Sequence, residues 1–147
     1  MSTQNVVLNN GQQAIIQTST AKIFIWANRT INGTFVNSTG SPLVIPAGQV
    51  IGRIASSQNM AICKSAASDG SQYPIGLLFE TTTFATGETK QITICNKGDV
   101  AREQVVFDGT DTFATPVLLR SLEDRITGDT EGIHLVPTTE LSNYDNQ

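Results

Sequence analysis

Acidic residues are missing from the first 68 positions: all 13 Asp and Glu lie from Asp69 onward. Bases are sparse there too, namely Lys22, Arg29, Arg53 and Lys64, so the two stretches carry +4 and −8 within a total of −4. Such asymmetry points to one end that meets a neutral or acidic partner and another that faces solvent, unless it is compositional drift in a polar β-protein. Four scattered bases are not the clustered Lys/Arg footprint that nucleic acid requires, so no nucleic-acid partner is expected. No apolar run approaches the ~20 residues of a membrane helix. The first residues also lack the basic-then-apolar pattern of a secretory signal. A soluble protein that folds where it is made, with no membrane partner, is the expectation.

Chemistry-bearing residues are equally scarce. The chain has one histidine and two cysteines. Cys63 and Cys95 each end a short apolar strand; read alone, they are a disulfide, a metal half-site, or two buried free thiols of a reducing compartment. Two distant cysteines beside a single histidine do not make a zinc site. The chain contains no Gly-x-Ser-x-Gly elbow, phosphate-binding Gly-Lys-Ser/Thr loop, His-Glu-x-x-His or dinucleotide fingerprint. His134 stands in an apolar strand context. Glu80 with Asp69, or Asp108 with Asp111, are the acid/base pairs left to consider, and carboxylates near turns ordinarily act as solvated caps. No catalytic residue, metal or cofactor is therefore expected, and the chain is not read as an enzyme.

What is present is β-structure. At 147 residues the chain is long enough for one domain with a sizeable core. It is 39% hydrophobic but only 15% charged, and Thr, Ser, Asn, Gln and Gly fill the difference, a mixture that suits strands and loops. Candidate strands are residues 14–16, 23–26, 43–45, 49–55, 60–63, 75–80, 90–96, 100–107 and 133–136, punctuated by glycines. Short strands at this spacing predict a small β-barrel or sandwich. Pro46 and Gly48 suit positions i+1 and i+3 of a type I turn. Gly52 inside its strand predicts a bulge or a close backbone approach, and Pro74 with Gly76 a kinked or edge strand. Asn32-Gly33 reads as a hairpin turn between residues 30–31 and 34–36. Asn28, Asn32 and Asn37 each open a glycosylation sequon, which without a secretory signal is not read as glycosylated.

One helix is predicted at about 116–127. Thr115 would cap it, Pro116 would begin it, Leu118, Leu119, Leu122 and Ile126 would form its apolar stripe, and Gly128 would end it. Ser38 to Pro42 is the expected boundary between an N-terminal extension, residues 1–41, and a β domain, residues 42–147. Within the extension, Ser2, Thr3, Gln4, Asn5, Val6, Val7 and Leu8 read either as an adhesive arm that adds a strand to a partner's sheet or as a frayed end. Phe24, Trp26 and Phe35 are candidate interface anchors. Trp26, the only tryptophan, fits a core equally well. Residues 138–147 read as an acidic tail.

The order of Ala47-Gly48, Gly52, Ala66-Ala67, Asp69-Gly70-Ser71-Gln72, Gly76-Leu77-Leu78, Glu80, Gly87, Ile92, Ile94, Gly98 and Val100 resembles the head decoration proteins of phage lambda and its relatives. The resemblance runs over roughly residues 42–137. It implies a compact β-rich domain that forms homotrimers on the outer surface of the expanded phage head. There it would cement the major capsid protein, with the N-terminal arm pairing with capsid strands and with host cytoplasm as the place of assembly. The alternative is a carbohydrate-binding, adhesin or head-fibre module, for which Trp26, Tyr73 and Phe79 are the aromatics to stack on sugars.

Overall fold

The computed structural model describes residues 23–138. The arm read at 2–8, the strand expected at 14–16 and all of the 138–147 tail but its first residue lie outside them. Five strands close a barrel: β1 (Phe24–Val36), β3 (Val50–Arg53), β4 (Met60–Ile62), β5 (Pro74–Leu78) and β7 (Thr89–Ala101). Round the wall the order is β7-β1-β4-β3-β5 and back to β7. All contacts are antiparallel except β1 with β4, which are parallel at Phe35 and Met60. A two-stranded ribbon of β2 (Leu43–Ile45) and β6 (Thr82–Phe84) lies beside the wall. After β7 come a 3₁₀ turn (Arg102–Gln104), a hairpin of β8 (Pro116–Val117) and β9 (Arg120–Ser121), helix α1 (Leu122–Gly128) and strand β10 (Gly132–Val136). β10 adds in parallel to the outer edge of β7. The small mainly-β barrel with one helix is thus the architecture the composition implies.

Consecutive residues of one strand point to opposite faces, and here both faces are buried. Ile51, Leu78 and Ile94 join Phe35, Met60 and Ile92 inside the barrel, where Ile45 and Phe84 of the ribbon close the cluster. Their neighbours Val50, Leu77 and Cys95 point outward into a second cluster with Leu122, Ile126, Ile133 and Val117. Burial on both faces explains the adjacent apolar pairs Val50-Ile51 and Leu77-Leu78.

Several expectations are corrected. Asn32-Gly33 is no hairpin turn, because β1 runs unbroken through it, with Asn32 opposite Thr93 and Gly33 opposite Ile92. A Cβ at Gly33 would stand 2.3 Å from the Met60 methyl, so the Met60 side chain would have to shift. Of the five staves, β1 comes from before residue 42 and the other four follow it. In the turn after β2, Pro46 is the first residue, since its carbonyl accepts from Gln49 N–H at 3.2 Å. That puts Gly48, at φ +90°, at the third position, as a type II turn requires. The strands expected at 90–96 and 100–107 are one strand, β7, and the 3₁₀ turn follows it. The bulge at Gly52 is present, as a register shift between Ile51 and Gly52.

The helix begins six residues later than Pro116. Thr115 Oγ accepts from Thr112 N–H at 2.8 Å and closes a loop, while Ser121 Oγ caps α1 by accepting from Asp124 N–H at 3.2 Å. Leu122 and Ile126, one turn apart, are its buried face. Gly128 is its last residue, and Asp129 caps the end.

Candidate interaction surfaces

The sequence's charge asymmetry becomes a spatial one. β1, β4 and β3 adjoin in the wall and all come from the acid-free stretch. This arc carries Arg29, Arg53 and, just beyond β4, Lys64. β5, β7, α1 and β10 belong to the acid-bearing remainder, in which residues 108–138 hold six acids against Arg120 and Arg125.

The three aromatic anchor candidates part company. Phe35 is 5% exposed, packs on Phe84 with ring centroids 4.9 Å apart, and belongs to the barrel interior, so it offers nothing to a partner. Phe24 is half-buried against Phe79, with centroids 4.7 Å apart. Trp26 is 72% exposed and its neighbour Ile25 44%, which removes Trp26 from the core. The backbone accounts for this exposure. Ladder register shifts on both sides of Trp26, and Ala27 follows at φ +53°. Such bulges re-aim side chains. Asn28 holds the irregular stretch in place, its Nδ2 donating to the Asp99 carbonyl at 3.1 Å. The chain enters the described structure at Ile23, whose carbonyl accepts from Ala101 N–H at 2.8 Å, three residues before Trp26. Charged pairs flank this end: Arg29 with Glu131, and His134 Nδ1 3.2 Å from Asp99 Oδ1.

Two further surface features escaped the sequence. At the tip of the β8–β9 hairpin, Leu118 and Leu119 are 72% and 100% exposed; spaced with Leu122 and Ile126, they mimic a helix stripe, which hid them. At the other end of β1 from Trp26 lies a half-open hollow of about 480 Å³. Val36, Leu43, Ile54, Ala61 and Ile62 give it an apolar lining, and Lys64 and Asp69 stand among its polar groups.

The titratable groups serve the scaffold. Cys63 and Cys95 are free, buried thiols. Burial, and then Asp111 and Asp108, push the Cys63 thiol up to about 12, and burial raises Cys95. Neither is a ready thiolate nucleophile. Asp69 accepts from the Ser71 hydroxyl at 2.6 Å and N–H at 3.0 Å, bonds that hold its carboxyl below the usual range. Asp111 likewise accepts from Ser65 N–H and O–H, at 2.8 and 2.5 Å. Tyr73 and Phe79, the other aromatics considered for sugar stacking, are half-buried, with Arg125 over the Tyr73 ring at 5.1 Å and Phe24 on Phe79.

A sequence profile of the family described as Bacteriophage lambda head decoration protein D matches residues 17–115. No individual curated protein matches the chain. The matched span begins well ahead of the resemblance seen at 42–137 and takes in the whole of β1.

Proposed function

The chain belongs to the bacteriophage lambda head decoration protein D family, and on that premise we propose that it binds as a homotrimer to the outer surface of the mature head and stabilises the shell. Membership makes it a structural protein of the phage capsid. The finer reading names the partner as the major capsid protein and the contact as the arm, residues 2–8, together with Trp26.

The exposed Ile25–Trp26 step carries this reading. A bare tryptophan is the residue type most enriched among interface hot spots. The charged groups beside it already have partners on this chain, Arg29 with Glu131 and Asp99 with His134. Three such faces on one trimer make attachment multivalent, so a weak single contact becomes lasting. The acid-bearing remainder, turned outward, keeps crowded particles from adhering to one another.

Co-sedimentation with expanded heads and with unexpanded procapsids tests the reading. Binding to expanded heads alone, lost on deletion of residues 2–10 with the oligomer intact, is the expected result. A protein that stays in the supernatant with both would refute it.

A further inference from the structure

Asn32-Gly33 makes no turn, and shell attachment does not use it either. Its asparagine is exposed in the middle of β1. Asparagine is chemically labile, and most so before glycine, where no Cβ shields the peptide nitrogen. That nitrogen attacks the asparagine side-chain carbonyl carbon and gives up its proton. Ammonia leaves, and water opens the resulting cyclic succinimide at either carbonyl. The product is aspartate or, where the chain now runs through the β-carbon, isoaspartate.

The folded strand holds off the first step. Ring closure needs ψ of Asn32 to leave the extended value of about +135°, so that the Gly33 nitrogen can face the side chain. Asn32 cannot make that rotation while Thr30 to Val36 keep their register opposite Cys95 to Thr89. The side chain is tethered as well: Asn32 Oδ1 accepts from Thr93 Oγ at 2.8 Å, which holds it over the neighbouring strand β7.

We propose that Asn32-Gly33 is a latent deamidation site, closed by the β1–β7 ladder and released when that ladder opens locally. The reaction makes the opening permanent. Aspartate introduces the first acid of residues 1–68. Isoaspartate adds a carbon to the main chain between the partners of Thr93 and Ile92. Gly33 then shifts at a point where even a Cβ would stand 2.3 Å from the Met60 methyl. Phe35, two residues on, falls out of step with the barrel interior it fills.

The test ages the full-length protein in mildly alkaline buffer, with and without denaturing urea, and counts aspartate and isoaspartate at residue 32 by peptide mapping. Asn10-Gly11, the other Asn-Gly pair in the chain, is mapped in the same digests and shows that the urea samples are reactive. Asn32 should convert in urea and at least about tenfold more slowly in the folded protein, a protection set by the free energy of opening. After urea is removed, chains carrying isoaspartate at 32 should not regain the wild-type melting transition. Equal rates with and without urea overturn the proposal, as does an Asn32 that stays intact in urea while Asn10 reacts. Isoaspartate chains that refold and melt like wild type overturn the permanence of the opening.

Discussion

The two ends of β1 contrast sharply. From residue 30 to 36 it pairs regularly with β7, from Thr30 with Cys95 to Val36 with Thr89, and buries Phe35. From 24 to 29 it breaks register three times and exposes Ile25 and Trp26. The regular end is made by small-residue fit, with Gly33 under Met60, and by apolar side chains that must face inward. The irregular end spends ladder geometry on display, which a stability-driven strand has no reason to do. The same division separates the face proposed to grip the shell from the scaffold that holds it.

The largest blow to the scaffold is Leu122→Asp. Leu122 is 1% exposed, and an unpaired buried charge there removes about 4 kcal/mol or more. No cooperative melt is expected; a soluble variant melting cooperatively near wild type would show that α1 does not hold the outer cluster. At the regular end, Gly33→Val drives side-chain atoms into Met60 and should destabilise by about 1–3 kcal/mol in urea titration. An unchanged midpoint would contradict the tight fit. At the irregular end the expectation reverses. Trp26→Ala should shift stability by no more than about 0.5 kcal/mol. It should nevertheless weaken head binding by about 2 kcal/mol, roughly 30-fold. A variant that binds as well as wild type, or that unfolds, would erase the contrast.

The smallest effect is a pH step. Arg102 donates to both Glu123 carboxylate oxygens, at 2.8 and 3.2 Å, and these bonds hold the Glu123 carboxyl below its ordinary value. A carboxyl lowered by folding adds stability that is present above its unfolded value of about 4.3 and is lost as pH falls through the folded one. Both side chains are 38% exposed, so only a few tenths of a kcal/mol are at stake. Glu123→Gln should remove that increment at pH 7 and make no difference once the pH lies below the folded value.

Local patterns led to the fold wherever burial acted alone. The alternation at 90–95, with Ile92 and Ile94 on one face, marked a wall strand, and Gly52 marked the bulge. Patterns failed where two devices compete for the same residues. Asn32-Gly33 carries the signature of a turn, yet Met60, 27 positions away in sequence, packs where a Cβ would stand. Thr115-Pro116 carries the signature of a helix start, yet Ser121 offers a cap that leaves Leu118 and Leu119 outside. Of the proposed contact residues, Trp26 was legible only as an alternative, because its exposure depends on a bulge produced by pairing with distant β7. The hollow, assembled from β1, β2 and β4, had no local signal.

A reconstruction of expanded heads incubated with the full-length protein tests the central claim most directly. The account predicts added density outside the shell, with the Trp26 end of β1 against the capsid and α1 turned away from it. Bare heads, or density in which α1 and its acids lie against the capsid while Trp26 faces solvent, would contradict it.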